Sequence, residues 1–166
     1  MVGSGLAESS SPPSPPSVVA KNLGIKFDNT PSFQPQVASV VGSCLSILCT
    51  LKQFLFLLPL ESRKTVVHGL ITSCLDYSNS LYLGLPDILL RRLQVIQNVT
   101  AHLVLRLLRR TSMSPHLRRL HWLPVKRQIL FKSLSLIHQA VHGRGPHYLV
   151  ARCRFYQPKH ALWSAS

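Results

Sequence analysis

Apolar residues return every third or fourth position through most of this chain, and the phase of that recurrence divides it into helices. From Ser32 the pattern reads as one helix to about Leu57, with Ser32 as its N-cap and Pro59 closing it. Residues 60–80 read as a second helix, with Glu61 in the first turn, where negative charge suits the helix dipole. "YLGLPD" is a break punctuated by Gly84 and Pro86. A third helix starts at Pro86, and its stripe is Leu89, Leu93, Ile96, Thr100, Leu103 and Leu107. Arg91, Asn98, His102 and Arg109 fall on roughly the opposite face. The last long helix runs from about Pro124 to Val141. Leu130, Leu134, Ile137 and Val141 form its expected buried stripe, and Gln128, Lys132, Ser135 and Gln139 its wet side. Gly143 and Gly145-Pro146 end it.

The start of the chain obeys other rules. Residues 1–17, "MVGSGLAESSSPPSPPS", hold too little apolar surface to offset ordering and are expected to be a disordered tail. In 18–31, Leu23, Ile25 and Phe27 alternate with Gly24 and Lys26, which suits one short strand with no partner in view, and Asp28-Asn29-Thr30-Pro31 makes a turn. Residues 32–152 form the helical part, and 153–166 an irregular C-terminal tail. No internal repeat is visible. The expected fold is mainly α, a small multi-helix assembly preceded by that strand and tail.

Composition agrees with a globular chain, since 46% of its 166 residues are hydrophobic. Charge adds something the pattern does not. Nineteen Lys and Arg face five Asp and Glu, giving +14 and a pI near 10.6. Such a surplus attracts polyanions, so RNA or DNA is the first partner to consider and an anionic membrane the second. The run Leu45–Leu60, "LSILCTLKQFLFLLPL", is 16 residues long and carries Lys52. It is short of the ~20 residues that span a bilayer, and a buried core helix is the expected reading.

Cys44, Cys49 and Cys74 sit in apolar runs, and with Cys153 they make no C-x-x-C pair. Reduced core thiols and an intracellular location, nucleus or cytoplasm, are expected. No apolar stretch follows Met1, so no secretory signal is expected. His138 and His142 are spaced i, i+4, with His116 and His121 nearby, but no Asp or Glu follows position 87. No metal site, cofactor or small-molecule substrate is expected.

Five segments in order carry a resemblance: "NLGIKFDNTPSFQPQV", "LITSCLDYSNSLYLGLP", "LRRLQVIQN", "PHLRRLHWLPVKRQILFKSL" and "HQAVHGRGPHYL". Over about residues 20–166 the chain resembles the C-terminal region of LINE-type, non-LTR retrotransposon reverse transcriptases. The region resembled begins at the end of the polymerase palm and continues through the helical thumb, which closes on the template–primer duplex. The palm's metal-binding aspartates precede it. Two-metal phosphoryl transfer needs carboxylates held a few ångströms apart. Here Asp28, Asp76 and Asp87 are scattered, and Asp76 reads as a cap or buried hydrogen-bond acceptor. His102, Val99, Thr100 and Trp163 depart from the family's pattern.

The resemblance implies a catalytically inactive, polymerase-derived fragment with residual non-specific nucleic-acid binding. Ten Lys or Arg and no acid lie between Arg91 and Lys132. Arg91, Arg109, Arg118, Arg119, Lys126, Arg127 and Lys132 are the expected phosphate contacts. Trp122 and Pro124 form a corner, with Trp122 expected to pin helices together rather than to stack on a base. The alternatives are a protein-interaction module using an exposed apolar face such as Leu45–Leu58, or a basic membrane-surface binder.

Overall fold

The computed structural model describes residues 19–28, 32–77, 79–107 and 111–152. The expected tails at 1–17 and 153–166, the turn residues 29–31 and Arg109 lie outside the described residues.

The expected strand has a partner. Val19–Asn22 (β1) pairs antiparallel with Ile25–Asp28 (β2), in the register Val19 to Asp28 and Asn22 to Ile25. Leu23 and Gly24 are not strand residues but the two-residue loop between them, with φ of 48° and 79°. Two positive φ values are what a type I′ hairpin turn requires, and Gly24 adopts its own without steric cost. The hairpin is fastened to the helices: Tyr77 Oη–H donates to the Leu23 carbonyl at 2.6 Å, and Lys26 N–H donates to Gln36 Oε1 at 2.8 Å.

Helix α1 spans Gln34–Leu55. It starts two residues beyond Ser32, whose Oγ accepts the Gln34 N–H at 3.3 Å. Its buried seam is Gln36, Val37, Cys44, Leu48 and Leu55. The expectation of a buried core run at Leu45–Leu60 holds for one side only: Ile47, Leu51, Leu58 and Leu60 are half-buried against the core, but Leu45, Phe54, Phe56 and Leu57 are exposed. Among the described residues α1 is the one helix long and apolar enough to cross a membrane, and 17% of its most apolar stretch is buried.

The second expected helix is α2 (Leu60–Val67), continued by a π turn (His68–Thr72) into α3 (Ser73–Asp76). A 3₁₀ turn, Asn79–Tyr82, leads to the break at Gly84, φ 86°. Helix α4 (Asp87–Leu105) is central and packs on α1, α2, α5 and α6. Leu89, Leu93, Ile96 and Thr100 are buried as their spacing demands, joined by Gln97, Ala101 and Val104. Arg106, in the left-handed region at φ 54°, ends the helix, so Leu107 falls beyond it. Arg63 of α2 is buried and donates to the Val104 carbonyl, one of the unpaired acceptors at that helix end.

Helix α5 (Met113–Arg119) is not legible from periodicity, nor is α7 (His147–Val150). Helix α6 runs Val125–Val141 with Pro124 at its N-cap. Gly143, φ 68°, ends it, and Arg144 N–H donates back to the Gln139 carbonyl at 2.8 Å. Its buried residues are Val125, Ile129, Ser133 and Ala140. This corrects the expected stripe: Leu130, Leu134 and Ile137 face solvent, and Val141 is half-buried.

Candidate interaction surfaces

The Trp-Leu-Pro corner is held from α4. Gln97, 3% exposed, donates through Nε2 to the Leu123 carbonyl at 2.8 Å. Gln94 Oε1 accepts the Val125 N–H at 2.9 Å, one of the unpaired donors at the start of α6. Gln94 Nε2 donates to Gln97 Oε1 at 2.8 Å and Asn98 Oδ1 at 2.9 Å, which orients both amides. Trp122 N–H donates to the Leu117 carbonyl at 2.8 Å, and its half-buried side chain packs against the core. These bonds tie α4, α5 and α6 together at the corner.

One face of that joint is a cleft of about 520 Å³. Arg118 and Arg127 stand on it from α5 and α6, with His121, Trp122 and Pro124 between them. Of the expected phosphate contacts, the fold therefore brings Arg118 and Arg127 together at the corner. Arg91 and Arg119 are exposed but do not line this cleft. Lys126 pairs with Asp87 at 3.1 Å, both exposed. Lys132 lies toward Asp76, whose carboxyl its charge helps to keep ionised.

Asp76 accepts from Asn79 Nδ2 at 3.2 Å, so it is an acceptor, but the residue as a whole is exposed. Partial desolvation raises its carboxyl pKa, against the opposing pull of His68, Lys132 and Asn79. The thiols divide as well. Cys44 is buried and its pKa is pushed up to about 11 by that burial, with Cys74 beside it adding to the shift, whereas Cys49 is exposed. Burial and the nearby Arg106 pull the Arg63 guanidinium below its ordinary range. Among the described residues no three His, Cys, Asp or Glu side chains gather where they could hold a metal ion.

Among the described residues, two open apolar surfaces lie on the long helices. The first is a groove of about 460 Å³ between α1 and α4, with Leu45, Phe56, Val99 and Leu103 among its walls. Arg106 reaches across its end to the Phe56 carbonyl and lies over the Phe56 ring at 5.4 Å. Leu45 and Phe54, nine residues apart, lie about 180° apart around α1, so the exposed part of Leu45–Leu58 is not one stripe. The second is the outward side of α6. Leu130, Leu134 and Ile137 are 41%, 55% and 50% exposed, with Phe131 at 64%. Together with Val141, the first three fall within about 60° around the helix. Spacing marks these residues as a face; the side turned toward the core instead carries Val125, Ile129, Ser133 and Ala140.

Comparison with protein-family models, with curated proteins and with solved structures finds no match.

Proposed function

We propose that this chain is a non-enzymatic helical docking module that binds another protein through the outward face of α6. The observation that supports this is the exposure of Leu130, Leu134 and Ile137 on one continuous stripe of a regular helix. A contiguous apolar face held in water is a standing cost, and such faces mark interaction sites. The resemblance to the post-palm region of LINE-type polymerases is consistent with it, because helices of that region work against other parts of a larger protein.

The test is to place a photo-crosslinking residue at position 134 of the full chain in cells, and in parallel at Gln139 on another face. The reading expects a defined protein adduct from 134 that 139 does not give; identical adducts from both would sink it. Replacing Leu130, Leu134 and Ile137 together by Gln should leave the urea midpoint nearly unchanged, since exposed substitutions cost within about ±0.5 kcal/mol each. It should also reduce binding of an apolar dye, with the groove between α1 and α4 accounting for what remains. A loss of about 2–5 kcal/mol per residue would instead mean that the face is core.

A second reading keeps non-specific nucleic-acid binding, and the cleft flanked by Arg118 and Arg127 favours it. Each phosphate contact on duplex DNA contributes about −0.9 to the slope of log affinity against log salt. Replacing Arg118 and Arg127 by Gln should flatten that slope by roughly two units with no change in sequence preference. An unchanged slope would remove the cleft from consideration.

A further inference from the structure

The outward face of α6 has a charge pattern as well as a shape, and the choice of partner that the two make together rests on the docking function proposed for that face. The stripe from Leu130 to Val141 runs roughly 16 Å along the helix at 1.5 Å per residue. At its N-terminal end it opens into a cavity of about 510 Å³, lined by Leu83, Leu85, Leu90, Ile129 and Leu130. Tyr82 also lines that cavity; it is 1% exposed, and its phenol oxygen has no hydrogen-bond partner. A straight apolar strip with a socket at one end matches the i, i+3, i+4, i+7 side chains of a helix laid along it.

Charge selects among the occupants. Lys126 and Arg127 bracket the stripe, each about 20° outside one of its edges. They sit at the N-terminal end of α6, where the helix dipole is positive. Helix α6 carries no carboxylate, and Asp87, which borders the socket, is paired with Lys126. The same face of a second copy holds no carboxylate to meet these cations, on a molecule of charge +14. Residues 153–166 of the chain itself carry Arg154 and Lys159 and no Asp or Glu, so they too have the wrong sign.

We infer that the α6 face receives an acidic amphipathic helix of another protein, its apolar residues along Leu130, Leu134 and Ile137, one bulky side chain in the socket beside Tyr82, and carboxylates opposite Lys126 and Arg127. The hydrophobic strip supplies affinity, and the cations supply orientation and a salt-dependent encounter rate.

The experiment uses the full chain and two labelled helical peptides of about 18 residues, long enough to hold helix. Both carry Leu at i, i+3, i+4 and i+7; one has Glu on its flanks and the other Lys. Fluorescence anisotropy should show the Glu peptide binding and the Lys peptide at least about tenfold weaker. Leu134→Gln and Ile137→Gln, made separately so that one misfolded variant does not decide the matter, should each weaken binding about tenfold or more. Arg127→Glu should weaken it severalfold at low salt and less at high salt.

Equal binding of both peptides overturns the inference. So does insensitivity to the α6 substitutions, displacement of the Glu peptide by phosphatidylserine vesicles, or a dimer in sedimentation that Leu134→Gln dissolves. A large rise in affinity on deleting residues 153–166 overturns it in favour of the chain's own tail. If neither peptide binds while position 134 still gives its specific adduct, the acidic helix is wrong and the docking module stands. If position 134 gives no specific adduct, the module reading is what fails.

Discussion

Replacing Gln97 by Leu tests the claim that the Trp-Leu-Pro corner is a helix joint. Gln97 is buried, donates to the Leu123 carbonyl at 2.8 Å and accepts from Gln94 at 2.8 Å. Leucine has similar bulk but can do neither. A typical hydrogen bond contributes about 0.5–1.5 kcal/mol net, and a buried acceptor left unpaired costs about 1–3 kcal/mol. Leu123 is 48% exposed, so water can reach its carbonyl after a small shift, which favours the lower part of that range. Gln94 keeps Asn98 as a partner, so the second bond is not wholly lost. The expected cost is about 1–2 kcal/mol, or roughly 2–8 °C in melting temperature for a domain of this size. Urea unfolding should be tracked by circular dichroism and by Trp122 fluorescence, with Trp163→Phe removing the second indole. Gln94→Leu, which strips the acceptor from Val125 N–H, should cost a similar amount. Because both amides belong to one network, the double variant should depart from additivity by about 0.5 kcal/mol or more. Unchanged midpoints with additive effects would show that the glutamines do not hold the corner.

Alkylation mapped by mass spectrometry at pH 8 should label Cys49 rapidly and Cys44 only through unfolding, because Cys44 is buried with its pKa near 11; equal rates would refute the packing of α1. The same shift has a sign: the folded thiol ionises later than the unfolded one, so its contribution is complete below about 9.0 and is lost as pH rises toward about 11. Cys44→Ala should therefore flatten the alkaline fall in stability. Asp76 is also raised, so the native state holds its proton more tightly, and stability should decline as pH rises from 3.8 through the folded pKa. Asp76→Asn should remove that decline while keeping an acceptor for Asn79; an unchanged acid profile would refute the assignment.

The helices that can be read from sequence are those whose ends carry local chemistry. Pro86 and Gly143 set the limits of α4 and α6 through fixed or positive φ, and the α4 stripe from Leu89 to Thr100 is buried because that helix has neighbours on several sides. What is not legible depends on pairing or on short range. β1 shows no alternation until β2 lies against it, and α5 is held by contacts between its Leu117 and the core more than by any pattern so short a helix could show. Helix α6 shows the deeper limit. Periodicity locates an apolar face but does not say what covers it, and reading that face as core assumes that its partner lies in the same chain. Here the side of α6 turned to the bundle carries Val125, Ile129, Ser133 and Ala140, and the following loop folds back on the helix end at Gly145, where a Cβ would meet Ala140 Cα at 3.1 Å. Leu130, Leu134 and Ile137 lie on the side turned outward. The same methyl-rich positions that suggest a core in the sequence thus mark a surface in the fold, because the neighbours of α6 lie along Val125, Ile129, Ser133 and Ala140 instead.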